Sequence, residues 1–237
     1  MQVAGLWRYP VKSLRGEPLE RAALTPDGVA GDRLVHVAGP RGLLTGRTRH
    51  GLLTVPAVTG ADGEPRVGGH PWHSAAAEEV VRAAAGGPAR LVAYRGPERF
   101  DVLNLLVATD GAVAEFGHDV RRLRPNLLIS GVAAEDEAAW PGHALAIGDA
   151  LIGVHSVRGR CIVTSIDPDT GAQDLDVLRL IRHRFDHRLA LDCWVLRPGP
   201  VQAGDPVTLL AGAVRPERVG GWIVGRPYEP DQRAANG

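Results

Sequence analysis

Two cysteines, Cys161 and Cys193, are all that the 237 residues contain. That scarcity excludes a disulfide framework, a four-cysteine zinc site and an iron–sulfur cluster of the chain's own. Lysine is scarcer still, because Lys12 is the single one among 27 basic side chains. A compact ammonium does not replace a planar guanidinium at a site, which sets Lys12 apart. Net charge is also missing: 27 basic residues face 27 acidic ones. No global field therefore gathers nucleic acid or an anionic membrane, and any anion site must be local. No stretch approaches the ~20 apolar residues of a membrane helix, and residues 1–8 lack a charged start followed by an apolar run. A cytoplasmic protein with neither membrane nor nucleic-acid partner is expected. The Gly-x-Gly-x-x-Gly fingerprint of a nicotinamide site is absent, as are internal repeats and low-complexity tracts.

What is present reads as many short strands with few helices, a mainly β chain with some α and a β-barrel-like domain. Strands are expected at 2–9, 19–24, 33–38, 52–59, 90–94, 104–108, in the run from Leu127, at 144–147, 150–157, 189–196 and 206–210. Leu43 to Arg47 resumes after Pro40-Arg41-Gly42 with hairpin-like spacing. Helices are expected at 75–84, 110–117 and 177–182, the last with acidic residues before it and arginines at its end, as the macrodipole favours. Gly-Pro and charge interrupt the pattern near residue 97. This divides the chain into an N-terminal domain (1–97), a second domain (98–213) and a tail (214–237) holding the apolar run Trp222-Ile223-Val224.

The stretch from Val157 to Gly171 joins a thiol to a rigid turn. β-Branched residues favour a strand from Cys161 to Ile166, with Cys161, Val163 and Ser165 on one face. Asp167-Pro168-Asp169-Thr170-Gly171 then supplies a tight turn. Arg158 and Arg160 flank the thiol, and nearby positive charge favours the thiolate that binds soft metals. A free cysteine on a strand is nevertheless more often a small buried hydrophobe. Cys193, in an apolar run, is expected to be buried. His183 and His187 are spaced like an i, i+4 pair, but no third ligand is apparent and three arginines surround them, so they read as surface or helix-end histidines. Asp167 reads as a brace of the turn, and Asp169 as either a brace or a proton relay.

Arg160-Cys161 followed by Asp167-Pro168-Asp169-Thr170-Gly171 resembles the signature of the MOSC (molybdenum cofactor sulfurase C-terminal) domain family. Tyr9-Pro10-Val11-Lys12-Ser13 resembles the opening of the family's N-terminal domain, and Gly31-Asp32-Arg33 its following strand. Leu44-Thr45-Gly46-Arg47 is similar to the family's Leu/Val-Thr-Ala-Arg, with glycine in place of alanine. Arg124-Pro125-Asn126 and Gly204-Asp205-Pro206-Val207 match segments of the second domain. These motifs occur in the family's order and span Leu6 to Leu210.

The resemblance implies an N-terminal MOSC-type β-rich domain plus a MOSC β-barrel, with a molybdenum–molybdopterin cofactor between them. It implies Cys161 as the metal ligand and Lys12, Ser13, Arg33, Thr45, Arg47, Thr109, Arg124, Asn126 and Arg160 as cofactor contacts, with Asp169 a catalytic candidate. Thr109 stands where the family has a serine, and Gly159 replaces another serine found in eukaryotic members. Within the family the pattern is closest to the amidoxime-reducing branch. That implies reduction of small N-hydroxylated or N-oxygenated compounds, with electrons from an external donor protein. A different expectation is a carrier of the cofactor, or of sulfur on Cys161, for a separate enzyme.

Overall fold

The computed structural model describes residues 1–94 and 99–212. In chain order the first half holds β1 (Gln2–Arg8), β2 (Glu17–Leu19), β3 (Arg21–Thr25), β4 (Gly28–Val29), β5 (Val35–Gly39), β6 (Gly42–Leu44), β7 (Ala57–Thr59), β8 (Pro65–Val67), β9 (His70–Pro71), α1 (Ala75–Ala85) and β10 (Arg90–Ala93). The second half holds β11 (Leu105–Thr109), α2 (Asp110–Phe116), β12 (Leu127–Ser130), β13 (Ala144–Ile147), β14 (Ala150–Gly159), α3 (Leu175–Phe185), β15 (Arg188–Arg197), β16 (Gly199–Gln202) and β17 (Val207–Leu210). The mainly β class and the barrel expected from the sequence are what the chain forms.

The eight-stranded sheet runs β17-β13-β14-β15-β11-β12-β1-β2. Its ends meet: Gln2 bridges Pro206, the Val207 N–H donates to the Met1 carbonyl at 3.0 Å, and the Val3 N–H donates to Asp205 at 2.9 Å. β1, which also carries β2, thereby closes a barrel whose remaining strands all follow residue 104. A bulge between Val3 and Gly5 resets the alternation, so Val3 and Leu6, three apart, both enter the core. Within the eight-stranded sheet of the described residues β11 and β12 are the parallel pair, and α2 lies in the crossover that such a pair requires. Opposite Gly153, the Trp194 indole lies so close that a Cβ at Gly153 would fall 2.4 Å from it. Glycine is needed there for the ring to cover the strand.

Three apolar clusters result. The barrel interior packs Leu105, Val107, Ile129, Leu145, Ile152 and Leu191 with Val3, Leu6, Leu24 and Val29 from the chain's start. A second cluster packs Val35, Val37, Leu52, Val67 and Leu91 beneath α1, whose buried Ala77, Val81 and Ala85 recur at a helical spacing of four. Ser74 caps that helix by accepting from the Ala77 N–H, and Gly86 ends it in the left-handed region. The third cluster sets α2 and α3 against the barrel's outside through Phe116, Val177 and Ile181. The segment 1–97 thus supplies side chains to two separate bodies of packing. The apolar run at Trp222 lies outside the described residues.

Two expected strands are corrected. Ile162–Ser165 forms a 3₁₀ turn after β14, and His50–Thr54 forms another before β7. In the first, the Thr164 hydroxyl donates to the Cys161 carbonyl at 2.8 Å and the Ser165 hydroxyl to Ile162 at 2.6 Å; in the second, Thr54 donates to Gly51 at 2.9 Å. Hydroxyls bonded three residues back satisfy the carbonyls that a strand would offer its neighbour. Cys161, Val163 and Ser165 therefore do not share a strand face.

Candidate functional site

The loop leaving β1 is pinned at Tyr9, whose N–H donates to Asp32 at 2.7 Å and whose hydroxyl donates to the Pro125 carbonyl at 3.0 Å. Its ring lies between two guanidiniums, with Arg124 at 4.3 Å and Arg33 at 4.9 Å from the centroid. Burial pushes the Tyr9 hydroxyl up to about 12 and pulls Arg124 down to about 10, so at neutral pH one is a neutral donor and the other a cation. Ser13, Arg33 and Arg124, all expected cofactor contacts, have left-handed backbones (φ 69°, 53° and 58°). Non-glycine residues there cost of order 1–3 kcal/mol each and persist where the surroundings enforce them.

Beside this sandwich stands a second cationic group. Lys12, 6% exposed, pairs with Asp101 at 2.8 Å and donates to the Arg99 carbonyl at 2.9 Å. Arg47 and Arg158 approach the same carboxylate at 3.4 and 3.7 Å, and Arg158 also pairs with buried Asp192 on β15. Burial lowers the Lys12 ammonium, against the pull of Asp101. Burial would raise the Asp101 carboxyl, but Lys12, Arg158 and Arg47 hold it well below the carboxylate range. Arg160 donates one nitrogen to the Leu123 carbonyl at 2.7 Å, while its Nε and Nη1 are buried without a partner. Burial, and then Arg158 beside it, lower Arg160 to about 10. Five expected contacts, Lys12, Arg33, Arg47, Arg124 and Arg160, thus belong to one neighbourhood with Arg158, where cations outnumber carboxylates.

Cys161 is exposed next to this group, and Cys193 is buried in the barrel core as expected, its thiol pushed well up by burial. Thr45 accepts from the Arg47 N–H at 3.3 Å and so shapes that residue's loop. Two expected contacts are not brought into the neighbourhood as open donors. Thr109 is fully buried and gives its hydroxyl to Glu137 at 2.8 Å. Asn126, also buried, accepts from the Leu106 N–H at 3.1 Å and donates to the Trp7 carbonyl and to Asp32, each at 3.3 Å. Both side chains are spent on holding β1, β11 and their neighbours together.

Asp167 braces its turn as expected, accepting from the Asp169 and Thr170 N–H groups and the Thr170 hydroxyl, and it pairs with Arg122 at 3.0 Å. Asp169 is an exposed clamp between Arg15 at 3.0 Å and Arg121 at 2.6 Å. The Arg121 hydrogen bonds lead in holding its carboxyl below the usual range. That suits a clamp rather than a proton relay. His183 lies near the end of α3 and His187 just beyond it, both exposed, as expected. Among the described residues no group of three His, Cys, Asp or Glu side chains is placed to hold a metal.

A narrow, partly open cleft lies between the two halves of the chain. Trp7, Tyr9, Leu53, Val163, Ile166 and Pro168 give it apolar walls, and Arg15, Arg121, Arg122 and Arg124 line it with charge. Tyr9 and Arg124 belong both to the cleft and to the cationic neighbourhood. Sequence reasoning named Arg158 beside the thiol but not as a cofactor contact, and did not assign Tyr9, Asp32, Asp101 or Asp192 to the site. Tyr9 and Asp32 stand inside quoted motifs. Asp101 and Asp192 carried no signal.

Comparison with known proteins matches residues 86–208 to the MOSC domain and residues 1–67 to the MOSC N-terminal beta barrel domain. The human protein named mitochondrial amidoxime-reducing component 1 is 27% identical over 281 aligned positions, covering 88% of this chain and 82% of that one. Human mitochondrial amidoxime reducing component 2 is 28% identical over 126 positions, covering 45% and 37%. Among solved structures, the YuaD protein of Bacillus subtilis shares the fold, with a TM-score of 0.51 at 14% identity over 90% of this chain and 96% of that one. Among the described residues no helix is long and apolar enough to cross a membrane. With its first model matching more than half of its length and its second covering the N-terminal part, this chain belongs to the MOSC domain family.

Proposed function

We propose that the chain is a molybdenum-cofactor-dependent reductase of small N-hydroxylated or N-oxygenated compounds. The observation that carries this reading is an exposed thiol, Cys161, beside Arg160, whose buried Nε and Nη1 lack any partner. Buried donors without acceptors are costly, and they fit an anionic group that supplies the acceptors. The surrounding surplus of cations fits the phosphate of a pterin cofactor in the same way. The relatives named amidoxime-reducing components support the reaction class.

In this reading Cys161 is the protein's soft ligand to molybdenum. Lys12, Arg33 and Arg47 hold the phosphate, and Arg160 directs its two orphaned donors at the cofactor's anionic edge. Arg124 and Tyr9, shared with the cleft, present a charged edge and an apolar wall to a planar ring. When bound, the cofactor supplies reversible two-electron chemistry. Cys161 lies at the surface, so a small substrate reaches it without a buried channel and an external donor protein approaches the same face.

Molybdenum and pterin content of the purified chain, followed by reduction of an N-hydroxylated amidine with a reduced dye as donor, tests the reading. Turnover with the dye or with an added ferredoxin- or flavin-type protein is expected, and none with NADH or NADPH alone. A cofactor-loaded chain that reduces no N-oxygenated compound but transfers cofactor or sulfur to a second enzyme would replace it.

A further inference from the structure

Lys12 and Arg158 have side chains less than a fifth exposed, and each faces a carboxylate of a different kind. Asp192, 2% exposed, is fixed within β15 and neutralises Arg158. Asp101 belongs to no helix or strand; its flanking Phe100 and nearby Leu103 are buried anchors, and although cations surround it, 40% of its side chain meets water. With Arg158 answered by Asp192, Lys12 and Arg47 leave two positive charges, of which Asp101 cancels one. A phosphate monoester dianion in the same place would cancel both.

We infer that Asp101 is a resident counter-anion that occupies the phosphate position between Lys12 and Arg47, and that an incoming phosphate monoester dianion displaces its side chain toward solvent. This rests on the phosphate-binding part of the reading above. The buried ammonium of Lys12 needs a partner when no ligand is bound. Asp101 provides one on a side chain able to rotate away, and the residue selects for ligands carrying more charge than a carboxylate.

The test uses the cofactor-free full chain with inorganic phosphate as the probe. Asp101→Asn is expected to bind phosphate at least about tenfold more tightly than wild type. It is also expected to melt at a lower temperature than wild type without phosphate, with the gap closing at saturating phosphate. Asp192→Asn loses stability whether phosphate is present or not, and Asp101→Glu retains wild-type behaviour. In the wild-type chain the carboxylate-carbon resonance of Asp101 moves with phosphate while that of Asp192 stays, a readout independent of how any variant folds. A melting gap that phosphate does not narrow, a stationary Asp101 resonance at saturation, or no phosphate binding by either protein overturns the inference. None of these readouts involves molybdenum or turnover. Their success in a chain lacking reductase activity would sink the reductase reading alone, and their failure in an active enzyme would sink this inference alone.

Discussion

Two sets of ion pairs, an outer one at the cleft and an inner one in the cationic neighbourhood beside it, are built from the same residue types and differ in their access to water. In the inner set, Arg33 faces Asp32, Arg158 faces Asp192 and Lys12 faces Asp101, and five of these six side chains are less than a fifth exposed. In the outer set, Arg15 and Arg121 share Asp169, Arg121 also holds Asp119, and Arg122 holds Asp167; most of these are a third exposed or more. Exposed pairs contribute little, because water and salt compete for both partners, whereas a buried charge stripped of its partner is strongly unfavourable. The inner set therefore fixes where charge is available, and the outer set ties the Cys161-bearing turn to its surroundings. The two cysteines repeat the contrast, one exposed beside the cations and one sealed in the barrel.

The sharpest way to test that contrast is at the thiols. Cys161→Ser is expected to abolish turnover while leaving the melting temperature nearly unchanged, since a hydroxyl does not replace a thiolate at molybdenum. Cys193→Ala is expected to do the reverse, lowering stability through lost packing with activity retained. Activity in a cofactor-loaded Cys161→Ser enzyme would remove the ligand assignment. Next in size, Asp192→Ala removes the near partner of Arg158, leaving it only Asp101 at 3.7 Å, and is expected to cost about 3 kcal/mol in denaturant unfolding. A loss no larger than that of an outer-set variant would erase the distinction between the sets.

Within the inner set, Lys12→Ala and Arg124→Ala each remove a charge-assisted bond worth about 1.5–3 kcal/mol to a bound anion. Pterin content of the purified variants should fall further than their unfolding midpoints. Unchanged pterin in a destabilised variant would mark these residues as structural. The smallest effect is expected for Asp169→Asn, a melting shift near the limit of detection that vanishes in molar salt. Its carboxyl and that of Asp167 are held below their ordinary values, Asp169 first by Arg121 and Asp167 first by the Thr170 N–H. The unfolded chain therefore binds more protons there. Stability from these groups is present above about pH 4 and is lost as pH falls through that value toward their folded pKa values. Melting curves of wild type between pH 3 and 5 should fall more steeply than those of Asp169→Asn.

How much of this was legible in the sequence depends on where the information is local. Helix α1 announces itself by a serine cap, a four-residue apolar spacing and a terminal glycine, and most strands by β-branched runs between glycines. The two 3₁₀ turns were read as strand because Thr54, Thr164 and Ser165 look strand-compatible until their hydroxyls bond three residues back. Lys12, Arg33, Arg47, Arg124 and Arg160 were legible through motifs and do share a neighbourhood. Thr109 and Asn126 were picked by the same motifs, yet their polar groups are consumed by Glu137, Trp7 and Asp32, partners 25 or more residues away or reached only through the fold. Asp101 and Asp192 gave no signal, because a single aspartate acquires meaning only when folding sets an arginine or a lysine against it.

The closure of the barrel by its first strand also carries a consequence for how the polypeptide is made. β1 leaves the ribosome roughly 200 residues before the Pro206–Val207 segment that seals against it, about 10–40 s at ordinary rates of synthesis. β2 covers the Leu6–Arg8 part of β1 early and β12 reaches the other edge later, but until the last strand arrives the Met1–Val3 end that will meet it lacks that partner. The cluster beneath α1 draws on residues 11–91 and needs nothing that comes later. It can be complete while the barrel around its own leading strand is still open.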